Sequence, residues 1–428
     1  MTAMTTAWIL SLAKLGDFIQ ASALFGGLRT RYPNLILLAA QQSVVAAARL
    51  AGFFSEIIVL DPADPHLRRL PPAQALYNLS ISPQAISLVD NLKAQNPRLT
   101  IFGPQKIQGQ LHLPPAQELA YAIMRENRRW SPLNLVDIWR RLEPGYLAPN
   151  KLFWPTQKSP TTGAQPKVGL ALGAGHPRRR WPRDKFKELA QKLQEKWGAR
   201  VILLGGPGEK ALGRAVNQEL GQSADLINLV GRTDLGELTK VIEELDLLIA
   251  SDTGALHLGA AVGTKTVGLY FGPALAQETG PYQAGSLTLQ TLAACAPCPE
   301  SRPCPDRVCQ AQPTVNAAFQ AAGRSLNADL SFEATPSPIN GLATVEIDEF
   351  GFKLHPQTME PEFRLSQILR EATRAVLEPQ YSPTRPEADL KAEPDFWRAL
   401  ANRLFSSPNL RPNQPRFIDA LASMGVLG

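Results

Sequence analysis

The sequence predicts an α/β chain: two doubly wound domains in succession, then a smaller α+β extension. Three observations carry that reading. From Trp8 onward, apolar runs of strand length alternate with amphipathic stretches of helical period. The alternation stops in the Pro- and Thr-rich segment Leu147–Gln165 and then restarts. After about Val315 it gives way to a hairpin-like segment and to helices separated by prolines. We therefore place domains at 1–150 and 166–315, a linker at 151–165 and an extension at 316–428. The 428 residues are enough for two sizeable cores, and 44% hydrophobic with 19% charged residues excludes a disordered chain.

In the first domain, Trp8–Leu12 is a buried-strand segment and Gly16-Asp17 a turn. Phe18–Tyr32 reads as one helix, with Phe18, Ala21, Leu24, Phe25 and Leu28 on one face. Strand Leu35–Ala39, helix Val44–Ala51 closed by Gly52, and strand Ile57–Leu60 follow. Ala75–Leu79 and Leu99–Phe102 continue the pattern. A carboxylate at a strand-to-helix turn projects from the carboxyl edge of the sheet, so Asp17 is either a helix N-cap or a general base.

The second domain opens with strand Lys167–Ala171. The loop Gly173–Trp181 follows, with two glycines and Arg178, Arg179 and Arg180. Backbone N–H groups and guanidinium forks suit a diphosphate, although a run of arginines also serves as a solvated loop. Next comes a helix carrying Phe186, Leu189, Leu193 and Trp197, with Asp184 in its first turn. Strand Val201–Leu204, the turn Gly205-Gly206-Pro207-Gly208-Glu209, a helix from Lys210, strand Leu226–Val230 and helix Leu235–Leu245 repeat the plan. The stretch Asp246–Pro273 is the most informative. Leu247–Ile249 is a strand, Ser251-Asp252-Thr253-Gly254 a tight turn, Ala255–Val262 a helix stopped by Gly263, and Thr266–Phe271 a strand. Asp252, Thr253 and Gly254 then sit where a strand's carboxyl end meets a helix's amino end. Open N–H groups and the helix dipole there attract phosphate. His257, one turn up the helix, reaches the same ligand. The plainer alternative makes Asp252 an N-cap and His257 a core residue.

The full string D-T-G-x-x-H-L-x-A-A-x-G-T-x-x-x-x-L-Y-F-G-P, from Asp252 to Pro273, resembles the donor-site signature of glycosyltransferase family 9, which includes the heptosyltransferases of lipopolysaccharide core assembly. Gly173–Phe186 resembles the family's G-A-x-x-x-x-K-R-W-P-x-x-x-F motif, with Arg179 where many members carry a phosphate-contacting Lys. Arg keeps the charge but changes the geometry. LGDFIQASALFGGLR resembles the family's N-terminal motif, whose Asp deprotonates the acceptor hydroxyl; that implies Asp17 as general base. The turn ending in Glu209 resembles a second donor loop, and Gly280-Pro281-Tyr282, read as following the last strand, matches the closing turn. The resemblance covers residues 7–310. It implies the GT-B fold: two Rossmann-like domains facing a cleft. It implies an inverting transferase that needs no metal or other cofactor for catalysis. Gly173, Arg179, Glu209, Asp252, Thr253, Gly254 and His257 would bind a nucleotide-diphosphate sugar, ADP-linked heptose by family precedent. The acceptor would be a lipid-linked or other surface glycan, with lipopolysaccharide core the family default. Two rivals stay open on the same plan: a sugar-nucleotide epimerase, and a non-catalytic sugar-nucleotide-binding protein.

Four cysteines remain: Cys295, Cys298, Cys304 and Cys309, spaced C-x2-C-x5-C-x4-C. That spacing suits structural zinc, an iron–sulfur cluster or two disulfides. Similar cysteines in the family imply a structural loop. A net charge of +6 suits an anionic substrate or an anionic membrane face. No basic run is interleaved with aromatics, which argues against nucleic acid. The N-terminal segment lacks a basic n-region and no apolar run reaches bilayer length. The expected location is cytoplasmic, peripheral to the inner membrane at most. In the extension, Ala343–His355 reads as a hairpin, and Phe363–Leu377, Asp395–Leu404 and Phe417–Met424 as helices. The helix directly after the cysteines is expected to cross back onto the first domain.

Overall fold

The computed structural model of the chain describes residues 6–60, 70–158, 165–221, 224–327, 339–358, 361–383 and 394–427. Strands β1 (Thr6–Ser11), β2 (Asn34–Ala39), β3 (Glu56–Val59), β4 (Ala75–Asn78) and β5 (Thr100–Phe102) form a parallel sheet in the order β3-β2-β1-β4-β5. A small antiparallel hairpin follows, β6 (Gln105–Ile107) with β7 (Gln110–His112). The second sheet contains β8 (Lys167–Ala171), β9 (Arg200–Leu204), β10 (Leu226–Asn228), β11 (Leu247–Ser251), β12 (Thr266–Tyr270), β13 (Leu287–Gln290), β14 (Leu342–Ile347) and β15 (Phe352–Pro356). Its order is β10-β9-β8-β11-β12-β13-β14-β15; the last two pairings, β13 with β14 and β14 with β15, are antiparallel, so β14 alone runs against the rest. Helices cover both faces, so strands such as β11 are buried throughout and read as unbroken apolar runs. In each sheet the strand order reverses beside the domain's first strand, between β1 and β4 and between β8 and β11. Such reversals open a crevice at the carboxyl ends of the strands.

Several local expectations need correction. The helix read over Phe18–Tyr32 is two helices, Leu15–Gln20 and Ser22–Arg29, parted at Ala21. At the break, Ser22 Oγ accepts the N–H of Phe153 at 3.0 Å, so a segment from the far end of the domain is tied there. Gly16 and Asp17 lie inside the first helical turn instead of ahead of it. The linker is docked: Lys158 N donates to Val262 O at 2.7 Å and Gln157 Nε2 to Ala261 O at 3.2 Å. Its residues 159–164 lie outside the described residues.

The division at 315/316 falls within the second domain. Helix Val315–Leu326 packs there, with Phe319 stacked on Trp197 at 4.2 Å between centroids. The expected hairpin is β14–β15, and it lengthens the second sheet because β13 offers it an open edge. Gly280–Tyr282 therefore precede three more strands. The helix after the cysteines stays on the second domain; the return to the first is made by helix Pro361–Leu377. Ile368, Leu369 and Ala372 of that helix share a buried cluster with Trp397, Phe405 and Phe417 of the extension and with Leu119 and Ile123 of the first domain.

One buried polar knot ties the parts together. Asp137, in helix Leu135–Trp139 of the first domain, is 1% exposed. Its Oδ1 accepts from Arg140 Nη1 at 2.9 Å and from Tyr282 Oη at 2.7 Å, and its Oδ2 accepts from the Phe352 N–H at 2.9 Å. Arg140 Nε donates to Ala148 O at 2.8 Å. Gly351, at φ +138°, lets the turn pass so close that a Cβ there would overlap the Asp137 carboxylate. Removing one partner of a buried pair leaves the other charge uncompensated, at a cost of about 3–5 kcal/mol. Asp137→Ala is therefore expected to lower unfolding stability by about that amount in urea titrations; an unchanged midpoint would show that the knot contributes nothing.

Candidate active site

Two short helices meet at their amino ends across the cleft: Leu15–Gln20, which follows β1, and Gly254–Val262, which follows β11. Each contributes a glycine to the contact. A Cβ on Gly16 would lie 3.1 Å from His257 Cδ2 and 3.6 Å from the Gly254 backbone. A Cβ on Gly254 would lie 3.2 Å from Leu15 Cδ2. Neither helix has a side-chain cap, so no side chain claims the first-turn N–H groups of Gly254–Val262. A cavity of about 590 Å³ opens at this junction. Asp17, Gly173, Arg179, Glu209, Asp252, Thr253, Gly254 and His257 all line it. The fold thus brings every expected site residue outside the cysteine loop to one place, from the carboxyl ends of β1, β8, β9 and β11.

Asp252 is not an N-cap; Thr253 holds that position. The Asp252 carboxylate is buried, accepts from Arg179 Nη1 at 2.8 Å on Oδ2, and lies 3.5 Å from His257 Nε2 through Oδ1. Burial pushes its carboxyl up, but His257, Arg179 and Thr279 outweigh burial and hold it below the usual carboxylate range. His257 Nε2 also lies 3.3 Å from Gln20 Nε2, so a side chain of the first domain touches the second inside the cleft. Asp17 is half-buried and shifted the other way. Burial raises its carboxyl; His257 and the Lys14 backbone N–H offset this in part, and the negative charge of Asp252 adds to the rise. One carboxylate is thereby kept ionised as a fixed charge, and the other is made a better base than an ordinary aspartate. Opposite shifts in one cleft are the arrangement that general acid–base chemistry uses.

The three arginines have three destinations, and the run is not a solvated loop. Arg178 is buried: Nη1 donates to Cys298 Sγ at 3.2 Å and Nη2 to Pro299 O at 2.8 Å. Arg179 reaches the cavity. Arg180 Nη2 donates to Glu209 Oε1 at 3.2 Å, while Glu209 Oε2 accepts from the Gly206 N–H at 2.9 Å. Glu209 packs against Gly173, where a Cβ would come 2.9 Å from the Glu209 Cδ. Sequence reasoning missed Lys14, Gln20, Asp234, Thr279 and Glu300, which also line the cavity. Gln20 could have been found, since it follows Asp17 by three residues on one helix face. Glu300 carries no local signal; it enters from the cysteine loop.

The four cysteines line a second cavity, of about 260 Å³, and all are free thiols. Burial raises the Cys309 thiol. Among the described residues no three His, Cys, Asp or Glu side chains are grouped so as to hold a metal ion. Among the described residues no helix is long and apolar enough to cross a membrane.

Residues 146–305 match the family model described as glycosyltransferase family 9 (heptosyltransferase). Lipooligosaccharide heptosyltransferase 2 of Haemophilus influenzae is 32% identical over 122 residues, 28% of this chain and 35% of that protein. Lipopolysaccharide heptosyltransferase 2 of Escherichia coli is 30% identical over 148 residues, 31% of this chain and 42% of that protein. The chain thus matches well under half the length of these curated relatives. The solved structure described as E. coli ADP-heptose lps heptosyltransferase II superposes with a TM-score of 0.56 at 20% identity, over 77% of this chain and all of that one. That likeness shows the fold, which is GT-B.

The raised carboxyl of Asp17 has a consequence for stability. A folded-state value above the unfolded one penalises the native state as pH rises past the ordinary aspartate range. Asp17→Asn should therefore raise the urea midpoint at neutral pH, and the gain should vanish in acid, where the wild-type carboxyl is protonated. A lower midpoint at neutral pH would contradict the shift.

Proposed function

We propose that the protein, whose residues 146–305 match the family model described as glycosyltransferase family 9 (heptosyltransferase), transfers a sugar from a nucleotide-diphosphate donor to an acceptor hydroxyl in the cleft. The observation that supports this most directly is the pair of oppositely shifted carboxylates, Asp17 and Asp252, at a helix amino end beside Arg179. By analogy with the relatives' names, the donor is ADP-heptose and the acceptor a lipopolysaccharide core. A lipid-linked acceptor would bring the protein to the cytoplasmic face of the inner membrane.

In this reading the diphosphate lies at the N–H groups that open helix Gly254–Val262, with Arg179 beside it and Glu209 toward the ribose. Asp17 takes the proton of the acceptor hydroxyl as that oxygen attacks the anomeric carbon. The bond from that carbon to the diphosphate breaks, and the charge that builds on the leaving group is met by the helix N–H groups and Arg179. Attack from the side opposite the leaving group inverts the anomeric carbon. Asp252 keeps Arg179 and His257 oriented, and no step is assigned to a divalent ion. A structural ion at the cysteines stays a separate proposal: metal content near one atom per chain after chelator-free purification supports it, and none removes it.

Asp17→Asn is expected to cut transfer by about 10²-fold or more while donor affinity, by calorimetry, stays near wild type. Transfer that survives the change takes Asp17 out of the role. Because burial holds Asp17 above the usual range, wild-type kcat/KM should fall on the acid side at a pH above that of an ordinary carboxylate. His257→Gln removes a neighbour that lowers Asp17 and should move that limb to still higher pH; a shift to lower pH would mean that another group titrates.

A further inference from the structure

We propose that Glu300, delivered by the cysteine loop, holds the place of the donor diphosphate on Arg179 and is displaced when donor binds, which couples the order of the loop to occupancy of the cleft. The inference rests on the donor-site reading above and adds a positioning residue and a means of regulation to it.

Arg179 has both terminal nitrogens engaged by carboxylates. Nη1 donates to Asp252 Oδ2 at 2.8 Å and Nη2 to Glu300 Oε1 at 2.5 Å. The two carboxylates are held very differently. The Asp252 side chain is 5% exposed and is also held by His257 and Thr279. The Glu300 side chain is 44% exposed and projects into the cavity, with Arg179 as its charged partner. A diphosphate arriving at the start of helix Gly254–Val262 meets a cation whose outward nitrogen is already neutralised. Two anions on one partly shielded nitrogen repel, and the one with fewer anchors leaves. That one is Glu300.

Its departure reaches beyond one side chain. The backbone around Glu300 is gripped by the neighbouring arginine: Arg178 Nη2 donates to Pro299 O and to Glu300 O, and Nη1 to Cys298 Sγ. Arg178 and Arg179, adjacent in sequence, thus hold residues 298–300 from two sides, one by the backbone and one by the side chain. Releasing the Arg179 contact loosens a loop that carries all four cysteines. By linkage, a ligand of that loop whose affinity donor binding changes by some factor must change donor affinity by the same factor.

The test is calorimetric titration of ADP and of inorganic pyrophosphate into wild type and Glu300→Gln, with amide hydrogen exchange over residues 298–302. Glutamine keeps the size and removes the competing charge. Affinity for both probes should rise about threefold, the size expected of an exposed ion pair. ADP should speed exchange at 298–302 in wild type and have no such effect in Glu300→Gln. Binding by the variant alone supports the proposal in its strongest form. Normal wild-type binding with equal or weaker binding by Glu300→Gln overturns it and leaves the donor site standing. That result would mean that Glu300 contacts the ligand or does nothing. Exchange at 298–302 that ignores ADP in wild type overturns the coupling, and failure of both proteins to bind either probe overturns this inference and the donor-site reading together.

Discussion

Asp137 is buried where the first domain meets Tyr282 and the turn between β14 and β15, and a buried carboxylate must keep its partners. Those partners come from three regions: Arg140 from just past the end of its own helix, Tyr282 from beyond β12, and the Phe352 N–H from the hairpin. Meeting the needs of this one charge, together with ties such as Arg128–Glu278 and Arg129 to the carbonyls of Ala293 and Ala296, holds the two sheets facing each other. The carboxyl edges then converge, and helices Leu15–Gln20 and Gly254–Val262 come into contact at Gly16 and Gly254. A Cβ at either position would crowd a side chain across the contact, His257 Cδ2 at 3.1 Å from Gly16 and Leu15 Cδ2 at 3.2 Å from Gly254, so glycine eases the close approach of the two helix ends.

The chemistry of the cleft follows from that proximity. Burial raises the carboxyls of Asp17 and Asp252, and both lie near enough to His257 and Arg179 to be lowered by them. Asp252 has enough positive and hydrogen-bonding neighbours to remain charged at low pH. Asp17 has fewer, and Asp252 is itself one of the groups that raises it. The two carboxylates are thus made different by their neighbours, although they are chemically the same side chain.

The extension acts as a strap between the domains. Its hairpin adds strands to the second sheet, while its helices bury Trp397, Phe405 and Phe417 against the first domain. Both attachments follow elementary rules: an open sheet edge takes a strand, and an amphipathic helix buries its apolar face. It also supplies Phe352 to the Asp137 knot, so the segment that looked separable is part of what positions the cleft.

The sequence by itself determined the two α/β domains, most strand positions to within a residue or two, and the strand-turn-helix context of Asp252, Thr253, Gly254 and His257. These are local properties: apolar period, turn residues and the order of elements depend on neighbours along the chain. Tertiary structure alone decided the rest. The helix break at Ala21 sits beside Ser22, whose hydroxyl accepts the N–H of Phe153, 131 residues away. The separate fates of Arg178, Arg179 and Arg180 depend on which loops pack beside them, and identical residues in a row carry no hint of that. Glu300 reaches the cleft, and the extension divides between two domains, through contacts between segments far apart in sequence. Long-range pairing is set by the packing of whole elements, and a linear pattern does not encode it.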